Sequence, residues 1–290
     1  MIKHIPPFLL LLVLLLTTGC SYQKLTVEVD KPIDMIMQAD GTALKQADLT
    51  PYMLQADVIY LGEIHDSELQ HRVQLDLVRQ LIAAGAKPAI GFEFFSREQT
   101  SWLLNYTTAS QNSFKPLKKE RAELVLRERL GWGSRSDWSY YFPLLELAKE
   151  HGLTVFGADI DLGIRSRMAR TGLDNLLLIE KQGLPEDLAP DSASYRDIIY
   201  QDLRDGHCNM ASEELVKKLY RTISVRNSYM ANSIKMIRRD LELTQPVVMI
   251  LGRGHVDYNS GVKTQLQYLV EDIQQLNIGL YENINDTESG

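Results

Sequence analysis

Cysteine is scarce in this sequence, since only Cys20 and Cys208 occur among its 290 residues. Two cysteines exclude a cysteine-rich zinc site, a CxxC redox motif and the CxxCH motif of c-type cofactor attachment. Excess positive charge is also missing, because 38 acidic residues outnumber 31 basic ones and give a net charge of -7. Non-specific binding to nucleic acid depends on cationic side chains that displace counterions. We therefore expect no nucleic-acid partner.

A long apolar run is missing too, although the chain begins with a short one. The stretch 8–16 follows Lys3 and His4 and is too short to span a bilayer as a helix. Small residues and Cys20 follow it, an arrangement that resembles the signal peptide of a bacterial lipoprotein, in which the cysteine carries the lipid. We predict a signal peptide over 1–19, lipidation at Cys20 and a tether over 20–41. A plain secretory signal with an incidental cysteine is the alternative.

The residue after Cys20 indicates which membrane would hold the lipid. Ser21 stands where an aspartate commonly favours retention in the inner membrane of such lipoproteins. We therefore expect the periplasmic face of the bacterial outer membrane, with the inner membrane as the alternative.

The rest of the composition is that of an ordinary globular domain. Hydrophobic residues make up 44% of the chain and charged residues 24%, which is enough for a large core. No linker rich in glycine, serine or proline divides the chain. We therefore predict a single domain over 42–290.

Short apolar runs alternate with segments of helical periodicity along this domain. We predict strands at 58–61, 89–94, 153–158, 247–251 and 278–281. Such βαβ units build an α/β fold with a mainly parallel central β-sheet flanked by helices. The pattern breaks down between 181 and 211, where glycine, proline and aspartate interrupt it. We predict that this insertion forms a lid.

Two of the predicted strands end in the same way. The run 58–61 is followed by Gly62 and, three residues later, by His65, while the run 247–251 is followed by Gly252 and by His255. Glycine allows the backbone a sharp turn after each strand. Because ligands bind at the carboxyl ends of parallel strands, we expect the two imidazoles to lie in one crevice.

Two other predicted strands end in carboxylates. Glu93 interrupts the aromatic strand 89–94, and Asp159 and Asp161 follow the strand 153–158. A buried carboxylate is costly unless it is paired, hydrogen-bonded or bound to a metal. Glu93 therefore either pairs with an arginine such as Arg97 or belongs to a site with the two histidines.

The chemistry of such a site stays open at the level of sequence. His65, Glu93 and His255 have the side chains to hold a divalent metal with open positions for water or substrate. Together with Glu63 they have the groups for acid and base catalysis without a metal. Spacing along the chain favours neither.

Three further residues, His71, Tyr140 and Tyr141, are interpreted as structural. His71 lies six residues after His65, a spacing that does not place two residues on one helix face. Tyr140 and Tyr141 lie in an aromatic segment and are expected in the core, with a role in a site as the less favoured interpretation.

Several segments together resemble the ChaN-type haem-binding uptake lipoproteins. The superfamily of these proteins includes the Tiki proteases, the TraB proteins and the erythromycin esterases. The segments that carry the resemblance are Leu61–Asp66, Gly91–Glu93, Trp138–Pro143, His207-Cys208, Arg226–Ala231 and Gly252–Val262. The resemblance covers roughly residues 42–272 and implies a parallel sheet beneath a helical lid. Asn227 departs from it, because aspartate is usual there.

This resemblance implies a role in haem and iron uptake rather than turnover. It implies paired, cofacial haems at the interface of a homodimer, with a tyrosine ligand on each iron. We expect that tyrosine to be Tyr195 or Tyr200 of the lid, or Tyr258 beside the second histidine, and we expect His207 to take part in cofactor binding. An outer-membrane haem receptor is a further expected partner.

The enzymatic relatives imply an alternative function. In it, His65, Glu93 and His255 form the centre of a metal-dependent hydrolase. Analysis of bound metal and of haem spectra distinguishes the two functions.

Overall fold

The computed structural model describes residues 36–37, 43–44, 46–108, 118–133, 135–242 and 244–281. The predicted signal peptide, Cys20 and most of the predicted tether lie outside these residues. Among the helices that are described, none is both long enough and apolar enough to cross a membrane.

A parallel sheet of five strands forms the centre of the molecule. Strands β1 (Ile36–Met37) and β2 (Ala43–Leu44) pair separately and antiparallel. The central strands are β3 (Val58–Glu63), β4 (Ala89–Ser96), β5 (Val155–Asp159), β6 (Val247–Gly252) and β7 (Gln275–Gly279). They lie in the order β5-β4-β6-β3-β7, and every neighbouring pair is parallel. The predicted fold class is confirmed, with β7 three residues earlier than expected.

The connections between the strands are mainly helical. The helices are α1 (Thr50–Gln55), α2 (Glu68–Ala83), α3 (Thr100–Thr108), α4 (Lys119–Arg129), α5 (Trp138–His151), α6 (Leu162–Thr171), α7 (Leu178–Lys181), α8 (Ala193–Asp205), α9 (Glu213–Asp240) and α10 (Val262–Leu269). Local chemistry explains where several of them begin. Ser67 caps α2 by accepting a hydrogen bond from the amide of Gln70 at 3.2 Å, and Ser212 caps α9 in the same way.

The predicted insertion at 181–211 is more regular than its sequence pattern indicated. Its second half contains the thirteen-residue helix α8, which Ser192 caps by accepting a hydrogen bond from the amide of Tyr195. Prolines 185 and 190 come before this helix, so they interrupt only the first half of the segment.

Both faces of the sheet are covered, as expected for parallel strands. Successive strand residues point to opposite faces. Ile59 and Leu61 therefore pack with α2 to α5, while Tyr60 packs with Met230 of α9 and Leu266 of α10. All six residues of β3 are buried, which makes its carboxyl end a rigid support for whatever follows it.

Strand β4 carries an irregularity just before the edge of the sheet. Phe92 pairs with Gly157 of β5, but the next pair is Ser96 with Asp159, so three residues of β4 lie opposite one residue of β5. Such bulges change the direction of side chains and are frequent beside sites. A Cβ on Gly157 would lie 2.0 Å from the carbonyl oxygen of Ser96, so the close approach depends on glycine. Glu93 lies within the bulge.

Candidate functional site

The residues predicted from the two Gly-x-x-His strand ends lie at one edge of the sheet. Glu63, the last residue of β3, is in register with Gly252 at the end of β6. A Cβ on Gly252 would lie 2.6 Å from Cε1 of His65 and 3.4 Å from Oε2 of Glu93. Nε2 of His255 lies 3.2 Å from Oε1 of Glu93. The structure therefore brings His65, Glu93 and His255 together around a position that only glycine can occupy.

Glu63 holds the first half of the site together. Its Oε1 accepts a hydrogen bond from the hydroxyl of Tyr141 at 2.7 Å and lies 3.2 Å from Nδ1 of His65. Its Oε2 forms an ion pair of 2.9 Å with Nδ1 of His71, without good hydrogen-bond alignment. Burial alone would raise the pKa of Glu63, but its contacts with His65 and His71 lower that pKa below its ordinary value.

His71 was interpreted as structural, and the structure assigns it a direct contact with the site. Its Nδ1 faces oxygens of Glu63 and of Gln74, and its Nε2 lies 3.1 Å from the carbonyl oxygen of His65. The amide nitrogen of Gln74 donates to Leu61, so the amide oxygen must face His71. Both ring nitrogens thus face acceptors, which favours the imidazolium. Burial opposes this charge, yet Glu63 raises the pKa of His71.

Arg226 of α9 organises the second half. Its Nη2 donates to Oε1 of Glu93 at 2.6 Å and to Oδ2 of Asp159 at 2.7 Å, and its Nε donates to the same Asp159 oxygen at 2.9 Å. Arg165 of α6 donates to that oxygen as well. Burial would raise the pKa of Glu93, but the charges of His255 and Arg226 hold it well below its usual range.

The expected arginine partner of Glu93 was wrong. Arg97 donates instead to the hydroxyl oxygen of Ser233 at 2.8 Å, and its guanidinium lies 4.0 Å from the ring centre of Tyr229. Arg226 was missed among the site residues, although its spacing contained a signal. It lies four residues after Thr222 and three before Tyr229, both buried, so it faces the core and must find a negative partner.

A chain of hydrogen bonds connects this charged group to α8. Nδ1 of His255 lies 2.5 Å from Oδ1 of Asn227, whose amide donates to the hydroxyl of Tyr195 at 3.3 Å. That hydroxyl donates in turn to the carbonyl oxygen of Gly254 at 2.9 Å. Asn227, which departs from the usual aspartate, thus accepts from the histidine and donates to the tyrosine. An aspartate could not donate in this way.

The two halves form the floor of a cleft of about 240 Å³. Its lining consists of His65, Glu93, Phe94, Trp132, Arg135, Asp137, Tyr141, Arg165 and Arg226. Two other acidic residues near strand ends, Asp161 and Asp257, make contacts elsewhere. Asp161 caps α6 by accepting from the amides of Gly163 and Ile164, and Asp257 pairs with Arg253.

The donor set does not fit the predicted divalent metal. Both oxygens of Glu93 are engaged, one by Arg226 and the other by the amide of Gly252 at 2.6 Å. The guanidinium supplies the positive charge that a metal would supply, and it would repel a second cation. In the part of the chain that the structure describes, no group of three histidine, cysteine or acidic residues has an arrangement suited to a metal ion.

The residues predicted to bind the cofactor differ in their exposure. Tyr195 is fully buried, and burial raises the pKa of its hydroxyl, which bonds Gly254. Tyr200 is half-buried, with its ring 5.1 Å from the ring of Tyr220. His207 is exposed just beyond α8, and its Nδ1 lies 2.7 Å from the carbonyl oxygen of Leu203. Tyr258 is exposed by 64%.

The fold and the edge site define a class: a parallel α/β protein with a charged cleft at the carboxyl ends of its strands and a helical segment over its flank. The family model described as "Haem-binding uptake, Tiki superfamily, ChaN" matches residues 49–266, more than half of the chain. The chain therefore belongs to the ChaN-type haem-binding uptake family of the Tiki superfamily. No curated protein sequence matches the chain.

One solved structure agrees with this fold, and two others show a weaker similarity. A structure described as "Cofacial heme binding to ChaN of Campylobacter jejuni" is 14% identical, covers 86% of this chain and 91% of its own, and has a TM-score of 0.65. An erythromycin esterase mutant in its open conformation is 16% identical over 80% of this chain and 71% of its own, with a TM-score of 0.44. A succinoglycan biosynthesis protein is 15% identical over 80% and 68%, with a TM-score of 0.45.

Proposed function

We propose that this protein binds ferric haem for iron uptake, through a surface tyrosine, as a homodimer held to a bacterial membrane by a lipid on Cys20. Membership of the haem-binding uptake family is the observation that carries the proposal. The likeness to a ChaN structure described as binding cofacial haem supports the fold that this role requires. Binding without turnover and delivery to or from an outer-membrane haem receptor complete the proposed role.

The cleft at the sheet edge is not the place for the porphyrin. Pockets for ligands of drug size have volumes of roughly 300–1,000 Å³ and mostly apolar walls. This cleft has about 240 Å³ and is lined by three arginines and two acids. A large apolar macrocycle therefore requires another surface.

Tyr258 is the best placed of the predicted ligands for such a surface. The residue is 64% exposed, and its backbone has φ 57° and ψ 29°. This left-handed conformation costs a non-glycine residue roughly 1–2 kcal/mol, and such strain is frequent at ligand sites. Phenolate oxygen is a known protein ligand of haem iron. Tyr281 lies nearby, but burial and the charge of Asp257 raise its pKa to about 12, which disfavours its phenolate.

Cations beside Tyr258 suit the carboxylates of a haem. Lys263, in the first turn of α10, donates to the side chain of Asn259 at 3.0 Å and is half-buried. Arg253 lies 4.2 Å from the ring centre of Tyr281 and pairs with Asp257. Ligation at an exposed tyrosine would leave one porphyrin face open to water, and pairing with a second copy would bury it. The proposed dimer follows from the free-energy cost of leaving that apolar face in water.

The ligand is tested by titrating hemin into residues 21–290 and recording the absorption spectrum. We expect a Soret shift and a high-spin ferric–phenolate spectrum. Tyr258→Phe removes the oxygen ligand, and we expect at least tenfold weaker binding, about 1.4 kcal/mol or more. Tyr268→Phe, another change at an exposed tyrosine, is the matched control and keeps the wild-type spectrum.

The same titration on Tyr195→Phe and Tyr200→Phe tests the other two predicted ligands. Tyr195 can reach a haem only if α8 moves, because its hydroxyl is buried. If Tyr258→Phe keeps the wild-type spectrum and Tyr195→Phe or Tyr200→Phe loses it, the iron ligand is in the predicted lid and not at Tyr258. Failure of the wild-type protein to bind hemin would overturn the function itself. Sedimentation with and without hemin tests the dimer.

A further inference from the structure

We infer that the corner between α6 and α7, residues 167–181, inserts into an anionic lipid bilayer and fixes the orientation of the domain on the membrane. The inference goes beyond the proposed haem binding, because none of the residues proposed to hold haem belongs to this corner. It stands on three features of the corner: an exposed aliphatic group, the contacts that hold this group in place, and the positive charge around it.

Three consecutive aliphatic side chains at the start of α7 are directed into water. Leu177 is 57% exposed, Leu178 is 87% exposed and Ile179 is 71% exposed. Single exposed aliphatic residues are common on globular domains, whereas a contiguous group with polar residues around it marks a surface that meets a partner. We call these three residues the apolar ridge.

The apolar ridge is held in a fixed position by the residues on either side of it. Leu176, just before it, is buried and packs in a small core with Met168 of α6. The amide of Leu177 donates to Oε2 of Glu180 at 2.9 Å, and Nε of Arg167 lies 3.1 Å from Oε1 of the same carboxylate. A segment that is ordered before it binds loses less conformational freedom on binding.

Basic residues surround the apolar ridge. Lys181 donates through Nζ to the carbonyl oxygen of Asp174 at 2.8 Å, and Lys218 of α9 donates to that of Arg170 at 2.7 Å. The charged residues whose contacts hold the corner are Arg167, Arg170, Lys181, Lys218, Asp174 and Glu180. Four cations and two acids give this group a charge of +2, in a chain whose net charge is -7.

This charge favours a bilayer over a second copy of the chain as the partner of the apolar ridge. In a twofold contact the same patch lies on both subunits, so the four cations would face their own copies. Anionic headgroups attract basic residues near the surface, and the acyl region below them accepts aliphatic side chains. The combination of aliphatic and basic side chains therefore selects an anionic bilayer.

The proposed lipid on Cys20 brings a bilayer within reach of this corner, and this step rests on the proposed function. Ile36, the first described residue, is sixteen residues after Cys20 (36 minus 20), so a fully extended chain between them is at most about 55 Å long. A domain of about 240 residues has a radius of gyration of about 18 Å. Such a tether does not decide which face of the domain meets the membrane, and the apolar ridge makes that choice.

The test is co-sedimentation of residues 21–290, which carry no lipid, with vesicles of equal parts phosphatidylglycerol and phosphatidylcholine. We expect binding that weakens as salt is raised, and no binding to phosphatidylcholine alone. Leu178→Ser is expected to weaken binding at least about tenfold, because a leucine no longer leaves water. Leu124→Ser, at a leucine 44% exposed on α4 across the sheet from α9, is the matched control and keeps the wild-type affinity.

Two further pairs of variants separate insertion from electrostatic attraction. Leu178→Trp places a fluorophore on the apolar ridge, and we expect brominated phospholipid to quench its emission, whereas Leu124→Trp is not quenched. Arg170→Glu is expected to weaken binding to the anionic vesicles about fivefold or more, since one basic residue near such a surface contributes about that factor. Arg79→Glu, at an exposed arginine of α2, is the matched control and leaves binding unchanged.

Three results would overturn the inference. The first is that the wild-type protein does not bind the anionic vesicles, or that Leu178→Ser binds them equally well. The second is a dimer in sedimentation that Leu178→Ser dissociates while vesicle binding is unchanged, which assigns the ridge to a second copy. The third is loss of the hemin spectrum in Leu178→Ser with unchanged vesicle binding, which assigns the ridge to haem. Hemin titration of the wild-type protein tests the proposed function separately, because it needs no vesicles.

Discussion

One side chain joins the buried carboxylates at the sheet edge. Arg226 joins Glu93 and Asp159, both nearly inaccessible to water, and no lysine or second guanidinium is in contact with Glu93 among the described residues. A buried ion pair gains little over an apolar pair, but removal of one partner leaves the other charge unpaired at high cost. The group is thus stable only when complete.

Arg226→Leu is expected to destabilise the protein by about 3–5 kcal/mol at pH 7, because Glu93 loses its guanidinium partner and Asp159 keeps only Arg165. Denaturant unfolding, followed by circular dichroism, measures the difference. Arg239→Leu, with a side chain that is 69% exposed, is the matched control and changes stability by less than about 1 kcal/mol. Similar losses in both variants would mean that the buried group is not what Arg226 stabilises.

His71 gives the protein a stability that depends on pH. Contact with Glu63 raises its pKa in the folded state above the ordinary value of about 6.5. Its contribution is therefore complete below about pH 6.5 and is lost as pH rises through the raised value. Glu93 acts at the acidic end of the pH range. Because its pKa is lowered in the folded state, its contribution to stability is lost as pH falls below the usual range of glutamate.

His71→Gln is expected to cost more stability at pH 6 than at pH 9, since the imidazolium is the stabilising form. Urea unfolding of both proteins at several pH values measures this difference. His151→Gln changes an exposed histidine and should leave the pH dependence unaltered. A loss from His71→Gln that is constant with pH would show that the charge of His71 contributes nothing.

Helix α8 is the element that connects the site to the rest of the predicted lid segment, 181–211. Tyr195 holds it by one buried hydroxyl, which bonds Gly254 and Asn227, and Ile199 lies against Gly254. The side-chain oxygen of the same Asn227 accepts a hydrogen bond from His255. Movement of α8 away from the sheet would therefore break contacts that reach as far as Glu93.

Tyr195→Phe is expected to loosen α8 by about 0.5–1.5 kcal/mol, the usual net contribution of one hydrogen bond. Hydrogen exchange by mass spectrometry should show faster exchange over 193–205 and no change in β3. Tyr200→Phe, on the same helix but half-buried, is the matched control. Equal exchange in the two variants would mean that the Tyr195 hydroxyl does not hold α8 in place.

Anchoring concerns the complete chain, because the predicted lipid site is far in sequence from the fold. Cys20 lies outside the described residues, and the predicted tether ends at residue 41.

Cys20→Ser is expected to move the protein from the membrane fraction to the soluble fraction of a bacterial host, because no acyl chain can attach. Ser21→Asp is expected to keep the lipid but move the protein to the inner membrane. Labelling with radioactive palmitate and membrane fractionation measure both outcomes. Incorporation of label into Cys20→Ser would exclude this cysteine as the lipid site.

Sequence periodicity was sufficient for the strands, most helices and the shared edge. An apolar β-branched run such as 58–61 leaves one stable solution, a buried parallel strand, and parallel strands bring their carboxyl ends to one edge. His65, Glu93 and His255 could therefore be expected together before any contact was known. The family resemblance followed from the same segments.

Only the tertiary structure decided which charges are paired. Arg226 lies 133 residues from Glu93 in sequence, and Tyr141 lies 78 residues from Glu63. Local spacing does not say which partner such a side chain meets, because partners of a buried charge are chosen by packing between elements. The chain by itself determined that a site would form at this edge. Packing decided that a guanidinium, and not a metal, would neutralise it.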